Sequence, residues 1–178
     1  PNVFAFTQAE KFAADALPKP VSLASVPDIR WARRDIKTTN LLGQVMAKQA
    51  AHDAGAYEAL MIDANGFVTE AGSSSFFFIK DNIIYVRPVS NEILHGITRQ
   101  TMLRVAAAHQ LRIVETIYTL DQAKQADEAF ITAASIYVMP VGRIDDVEIG
   151  DGQVGAITST LRTAYLETAR AEFPSLNS

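Results

Sequence analysis

The turn Asp63-Ala64-Asn65-Gly66, set between β-type runs at 57–62 and 67–70, constrains this chain more than any other segment. Asn-Gly accepts the left-handed backbone that a tight hairpin demands, so the two runs are held antiparallel by a purely local signal. Runs at 75–79 and 83–87 flank Lys80-Asp81-Asn82 in the same manner, and runs at 138–144 and 147–149 flank Asp145-Asp146. Residues 3–6, 21–26, 111–117 and 128–133 read as further short strands. Between them lie helical patterns: alanine-rich 10–17, stopped by Pro18-Lys19-Pro20; 41–54, capped by Asn40 and ended by Gly55; 98–110; 120–125; and amphipathic 155–171. In the helix after Asn40, Leu41, Leu42, Val45, Met46 and Ala50 fall on one face, with Gln44, Lys48 and His52 opposite. Strands and helices intermixed with several hairpins predict an α/β (α+β) domain, a mixed sheet or pseudo-barrel with flanking helices.

At 178 residues the chain is one domain's worth. Its 16 basic and 20 acidic residues are not clustered, which argues against a nucleic-acid or anionic membrane surface. No apolar run approaches the length that spans a bilayer. With no cysteine and three histidines, thiolate chemistry and a histidine-built metal site are unexpected, and the composition reads as soluble and cytoplasmic.

Four segments carry residues suited to chemistry. Lys37 lies in Arg33-Arg34-Asp35-Ile36-Lys37, where an extended stretch meets a helix; neighbouring cations favour the neutral amine that covalent carbonyl chemistry needs, although a solvated junction lysine has the same spacing. Glu70 ends a strand ahead of Ala71-Gly72-Ser73-Ser74-Ser75, where small residues leave room for a flat ligand, or for an ordinary turn. Leu94-His95-Gly96-Ile97-Thr98 opens a helix and could cradle a phosphate or simply cap it. Thr132-Ala133-Ala134-Ser135 follows an apolar strand and suits either a ligand-side turn or a sheet corner. Arg30 could reach an anion; Trp31, His52, His95 and His109 read as structural or solvated.

Taken in order, these strings resemble the larger domain of fold type IV pyridoxal-phosphate enzymes, most of all the D-amino-acid aminotransferases. The matching stretches are Asp28-Ile29-Arg30-Trp31 through Asp35-Ile36-Lys37, then Leu41-Leu42 with Ala47-Lys48-Gln49-Ala50, Val68-Thr69-Glu70 with the serine triplet, Ile93 through Arg99, and Ala129-Phe130-Ile131-Thr132 through Met139-Pro140-Val141. The resemblance implies pyridoxal 5′-phosphate as cofactor and Lys37 as the Schiff-base lysine and proton carrier. It implies Glu70 on the ring nitrogen, Leu94 on the ring face and Ser73 beside it. It puts Gly96, Ile97 and Thr98 on the phosphate with Arg30 assisting, and Ala133 and Ala134 offering backbone near the phosphate and substrate carboxylate. Many relatives carry a threonine where Ala134 stands, a hydroxyl for which Ser135 could compensate, and often an asparagine where Ser75 stands.

On this resemblance residues 1–178 are the cofactor-binding domain, with 1–20 as interdomain junction, and the family's smaller N-terminal domain lies outside them. The implied reaction is transamination between a D-amino acid and a 2-oxo acid, in a homodimer. Branched-chain aminotransferases usually carry a tyrosine where Leu42 stands, and aminodeoxychorismate lyases read differently at Ala133-Ala134-Ser135. An (R)-amine transaminase, or a fragment that only holds cofactor, are the remaining alternatives.

Overall fold

The computed structural model describes residues 3–6 and 17–172. The predicted helix at 10–17 falls almost wholly outside them. Nine strands form one mixed, curled sheet: β1 (Val21–Pro27), β2 (Glu58–Ile62), β3 (Val68–Ala71), β4 (Ser75–Lys80), β5 (Ile83–Val86), β6 (Arg112–Glu115), β7 (Glu128–Ala133), β8 (Tyr137–Ile144) and β9 (Val147–Glu148). Their order is β3-β2-β1-β8-β7-β4-β5-β6, with β9 on β8. β1 runs parallel to both neighbours and β5 parallel to β6; the other pairs are antiparallel. The helices are α1 (Leu42–Asp53), α2 (Ile97–Ala108), α3 (Leu120–Lys124) and α4 (Ala156–Glu172).

The hairpins form where the turn chemistry put them. Asp63 Oδ1 accepts from the amides of Asn65 and Phe67, and Gly66 takes φ +85°. Asp81 and Asn82 both adopt positive φ, the backbone of a two-residue hairpin loop. Residues 3–6 are not a strand: among the described residues no ladder partner lies beside them, and their side chains are exposed.

Strand β4 shows how the core is divided. Phe76 and Phe78 face a cluster with Tyr118, Ala129 and Ile131, whereas Phe77 and Ile79 face one built with Phe130, α2 (Met102, Val105, Ala106) and α4 (Leu161, Ala164). Alternation along the strand sends successive side chains to opposite faces, so both faces are buried. Phe77 and Phe130 are direct cross-strand partners with stacked rings 4.8 Å apart.

Helix α1 forms at the predicted place but departs from the expectation twice. Asn40 is not its cap: Leu41 holds that position, without a side-chain hydrogen bond, and the Asn40 amide donates to Thr38 Oγ1 at 3.1 Å. The face with Leu41, Leu42, Val45 and Met46 stays exposed, while Ala47 and Ala51 pack on Ala24, Val26, Ala59 and Met61. Alanine brings the helix close to the sheet, which the larger side chains would not. Among the described residues no helix is long and apolar enough to cross a membrane.

Candidate active site

The loop from Asp28 to Leu41 joins β1 to α1 and is fastened by two backbone bonds, Asp28 N–H to Ile62 O at 2.7 Å and Arg34 N–H to Asn91 O at 2.9 Å. Its start builds a buried charge cluster. Arg30 Nε and Nη2 donate to Asp28 Oδ1 and Oδ2 at 2.9 and 2.8 Å, and Nη1 donates to Glu70 Oε1 at 2.5 Å. Thr69 Oγ1 donates to Asp28 Oδ2 at 2.7 Å, and Arg34 Nε stands 3.4 Å from the same oxygen. Gly43 makes this possible: a Cβ there would sit 2.9 Å from Arg30 Cγ, so only a glycine lets α1 close over the arginine.

Burial pushes the Glu70 carboxyl up from its ordinary pKa, against the pull of Arg30 and of the Leu94 amide. Burial also opposes charge on Asp28, but hydrogen bonds from Arg30 and Thr69 outweigh it and hold that carboxyl below the usual range. The Leu94 amide reaches both Glu70 oxygens at 3.2 Å. Oε1 is thus shared by two donors and Oε2 accepts only the amide, which leaves Oε2 with capacity for a donor from a ligand.

Glu70 and Lys37 line one cavity of about 660 Å³. Lys37 is exposed on the loop, and among the described residues its Nζ has no hydrogen-bond or ion-pair partner. Its cationic neighbours are matched by carboxylates, Arg33 by Asp35 at 2.8 Å and Arg34 by Asp28. Leu94, Gly96, Ile97 and Thr98 form another wall. Gly96 is the N-cap of α2, with φ −60° and ψ 133° and no side-chain cap, so the amides of Ile97, Thr98 and Arg99 have no partner within the helix. Open amides and the positive end of the helix dipole favour an anion there.

Ala133 and Ala134 also line the cavity; Ser135 is exposed and outside its lining. Ser73 lines it too, but its hydroxyl donates to Glu58 Oε2 at 2.7 Å and accepts from Lys48 Nζ at 3.2 Å. Arg30, expected to assist at the phosphate, has its guanidinium on Asp28 and Glu70 instead. That pairing was missed by sequence reasoning, as were Asp28 and the Glu58–Lys48 pair behind Ser73. A buried strand, β3, that carries both Thr69 and Glu70 was the available signal that polar partners must converge on it.

Comparison with known proteins bears on the family and the fold. The family amino-transferase class IV matches residues 1–144. The D-alanine aminotransferase of Staphylococcus epidermidis is 41% identical over 165 residues, 93% of this chain and 58% of that protein. That of Bacillus licheniformis is 42% identical over 152 residues, 85% of this chain and 53% of the relative. The chain therefore spans little more than half the length of these curated relatives. Among solved structures, a T.th. branched-chain amino acid aminotransferase with pyridoxamine 5′-phosphate superposes with a TM-score of 0.81 at 32% identity, covering 90% of this chain and 55% of that one. A sheet of matching topology and a family match over four-fifths of the residues lead to one conclusion: this chain belongs to the class IV amino-transferases.

Proposed function

We propose that this chain is the cofactor-binding domain of a pyridoxal 5′-phosphate-dependent aminotransferase that exchanges the amino group of a D-amino acid with a 2-oxo acid. The observation that carries it is the cavity that holds a free lysine amine, a buried carboxylate with an open acceptor, and an uncapped helix N-terminus together. These three match an aldehyde, a basic ring nitrogen and a phosphate, so the residues present fit the cofactor. When bound, pyridoxal 5′-phosphate supplies a carbonyl for amine exchange and a ring that takes up the electron pair left at the substrate carbon.

The chain's own groups do the rest. Lys37 Nζ is the base that removes the proton from the substrate Cα and returns it elsewhere, and no ion pair among the described residues ties its amine away from the cavity. Glu70 Oε2 accepts a ring N–H, and Arg30 Nη1 on Oε1 counters the burial that favours protonation of this carboxyl. Leu94, half-buried, packs on the ring while its amide aligns Glu70. The amides of Ile97 and Thr98 bind the phosphate. Ala133 and Ala134 leave space and backbone beside the substrate carboxylate.

The D-amino-acid reading draws on the D-alanine aminotransferases at 41 and 42% identity; the branched-chain neighbour is more distant at 32%. Homodimer formation belongs to the same proposal, supported by the exposed apolar face of Leu41, Leu42, Val45 and Met46.

The test is titration of the protein with pyridoxal 5′-phosphate, borohydride reduction and peptide mass mapping, alongside pyruvate production from D-alanine and 2-oxoglutarate. The reading expects a reduced adduct at Lys37, its loss in Lys37→Ala, and pyruvate from the unsubstituted protein. Labelling that persists in Lys37→Ala, or turnover of L-leucine in place of D-alanine, would refute it.

A further inference from the structure

The face of the β4–β7 pair that α2 and α4 cover carries an aromatic row at its middle and hydroxyls in its last row. Cross-strand partners on that face are Ile79 and Glu128, then Phe77 and Phe130, then Ser75 and Thr132. The aromatic row packs beneath the middle of α2, against Met102, Val105 and Ala106. The final row reaches the start of that helix: a Cβ on Gly96 would sit 3.3 Å from Ser75 Oγ. The aromatic row is thus followed by two hydroxyls at the open end of a helix.

The Thr132 hydroxyl is unsatisfied. Thr132 is 2% exposed, lines the cavity, and among the described residues its Oγ1 has no hydrogen-bond partner. A buried hydroxyl without a partner costs free energy, and unlike that of Thr158 this one belongs to a residue that lines the cavity, where a ligand could supply the partner. The turn that follows β7 offers no hydroxyl at Ala133 or Ala134, and Ser135 is exposed and outside the cavity lining.

We propose that Ser75 and Thr132 form a two-hydroxyl clamp for a phosphate monoester beneath the N-terminus of α2, replacing side-chain donors that the 133–135 turn lacks. The proposal rests on the cofactor reading above and assigns the side chains that would hold the cofactor's phosphate. The helix amides bind the oxygens that face along the helix axis, and the two strand hydroxyls bind from below. Ser75 in this role accounts for a serine next to a glycine N-cap, since a longer side chain would crowd the approach at Gly96.

The experiment compares pyridoxamine 5′-phosphate with pyridoxamine, neither of which carries the carbonyl that Lys37 attacks, by calorimetry on the unsubstituted protein, Ser75→Ala, Thr132→Val and the double variant. Inorganic phosphate is a third arm, followed by ³¹P line broadening. A hydrogen bond to a charged acceptor corresponds to about tenfold or more in affinity, so each single variant should lose about tenfold for pyridoxamine 5′-phosphate and the double about a hundredfold. Pyridoxamine binding should not change, and Thr132→Ser should recover the loss. Thr158→Val, which removes a buried unpartnered hydroxyl in α4 away from the cavity, should leave the phosphate preference intact.

A double variant that keeps the full preference for the phosphorylated form overturns the clamp and leaves the cofactor reading standing. So does a Ser135→Ala variant that loses the preference instead. If the protein binds neither vitamer but broadens the phosphate signal, and the double variant does not, the cofactor reading fails and the clamp survives as a phosphate site. If neither vitamers nor phosphate bind, both fall.

Discussion

Replacing Arg30 by Met removes the guanidinium from two buried carboxylates while keeping a side chain of similar length under Gly43. The Asp28 and Arg30 side chains are 0 and 4% exposed and that of Glu70 is 8% exposed, so water cannot take over the lost bonds without opening the site. Removing one partner of a buried pair costs about 3–5 kcal/mol, because the remaining charge is left desolvated. Three guanidinium hydrogen bonds disappear here, with Thr69, Arg34, the residue 30 amide and the Leu94 amide as the surviving partners, so the lower half of that range is expected near pH 8.

The loss must depend on pH in one direction. Burial already gives folded Glu70 a stronger hold on its proton than the ordinary value of 4.5, and loss of Arg30 strengthens that hold. A raised carboxyl costs stability above its folded pKa, and the cost fades as pH falls toward 4.5. Asp28 acts in the same sense: its lowered pKa stabilises the unsubstituted protein above the ordinary 3.8, and acidification through its folded pKa removes that contribution. On the Glu70 contribution the penalty for Arg30→Met should therefore be larger at pH 8 than at pH 5, fading as the pH falls toward 4.5; the Asp28 contribution is lost only at more acid pH, below 3.8. Urea unfolding followed by far-UV circular dichroism at both pH values measures it. A penalty below about 1 kcal/mol at pH 8, or one that grows on acidification, would refute the argument that the pair is desolvated and charged.

Other substitutions test separate parts of the fold. Glu128 accepts from the Ile157 and Thr158 amides at 3.0 and 2.7 Å and so caps α4 from a strand; Glu128→Ala should cost about 1–2 kcal/mol in the same assay. Phe77→Ala removes a fully buried ring stacked on Phe130 and should cost about 3–5 kcal/mol, the largest single loss expected in the apolar core. Gly66→Ala forces a side chain into φ +85° and should lower the thermal midpoint with a cost of about 1 kcal/mol, with no effect on cofactor affinity because the turn lies outside the cavity. Leu42→Lys with Met46→Lys should change stability by less than about 0.5 kcal/mol in a monomer but reduce the mass seen by light scattering if that face pairs copies; an unchanged mass would count against the dimer.

The elements that could be read in advance are those whose causes lie within a few residues. Asn65-Gly66 and Asp81-Asn82 dictate their own backbone, Thr119 and Gln122 build a capping box around the start of α3, and Gly55 at φ +72° ends α1 whatever surrounds it. Lys37, Glu70 and the glycine-led start of α2 stood out because each sits at a junction within a stretch that resembles the family, and the structure puts all three on one cavity. The phase of α1 was not, since periodicity states that a helix has an apolar face without stating what meets it; here close packing selected Ala47 and Ala51 and left Leu42 68% exposed.

Everything that joins distant segments waited for the fold. Arg30 meets Glu70 across 40 positions only because β1 lies beside β2 and β2 beside β3, and Ser75 meets Thr132 only through the β4–β7 register. Local backbone preferences act over a few bonds and are written in order along the chain. Strand order and register are decided by how the whole apolar surface is buried at once, so the partners of a charge, or of a hydroxyl, emerge only when the sheet closes.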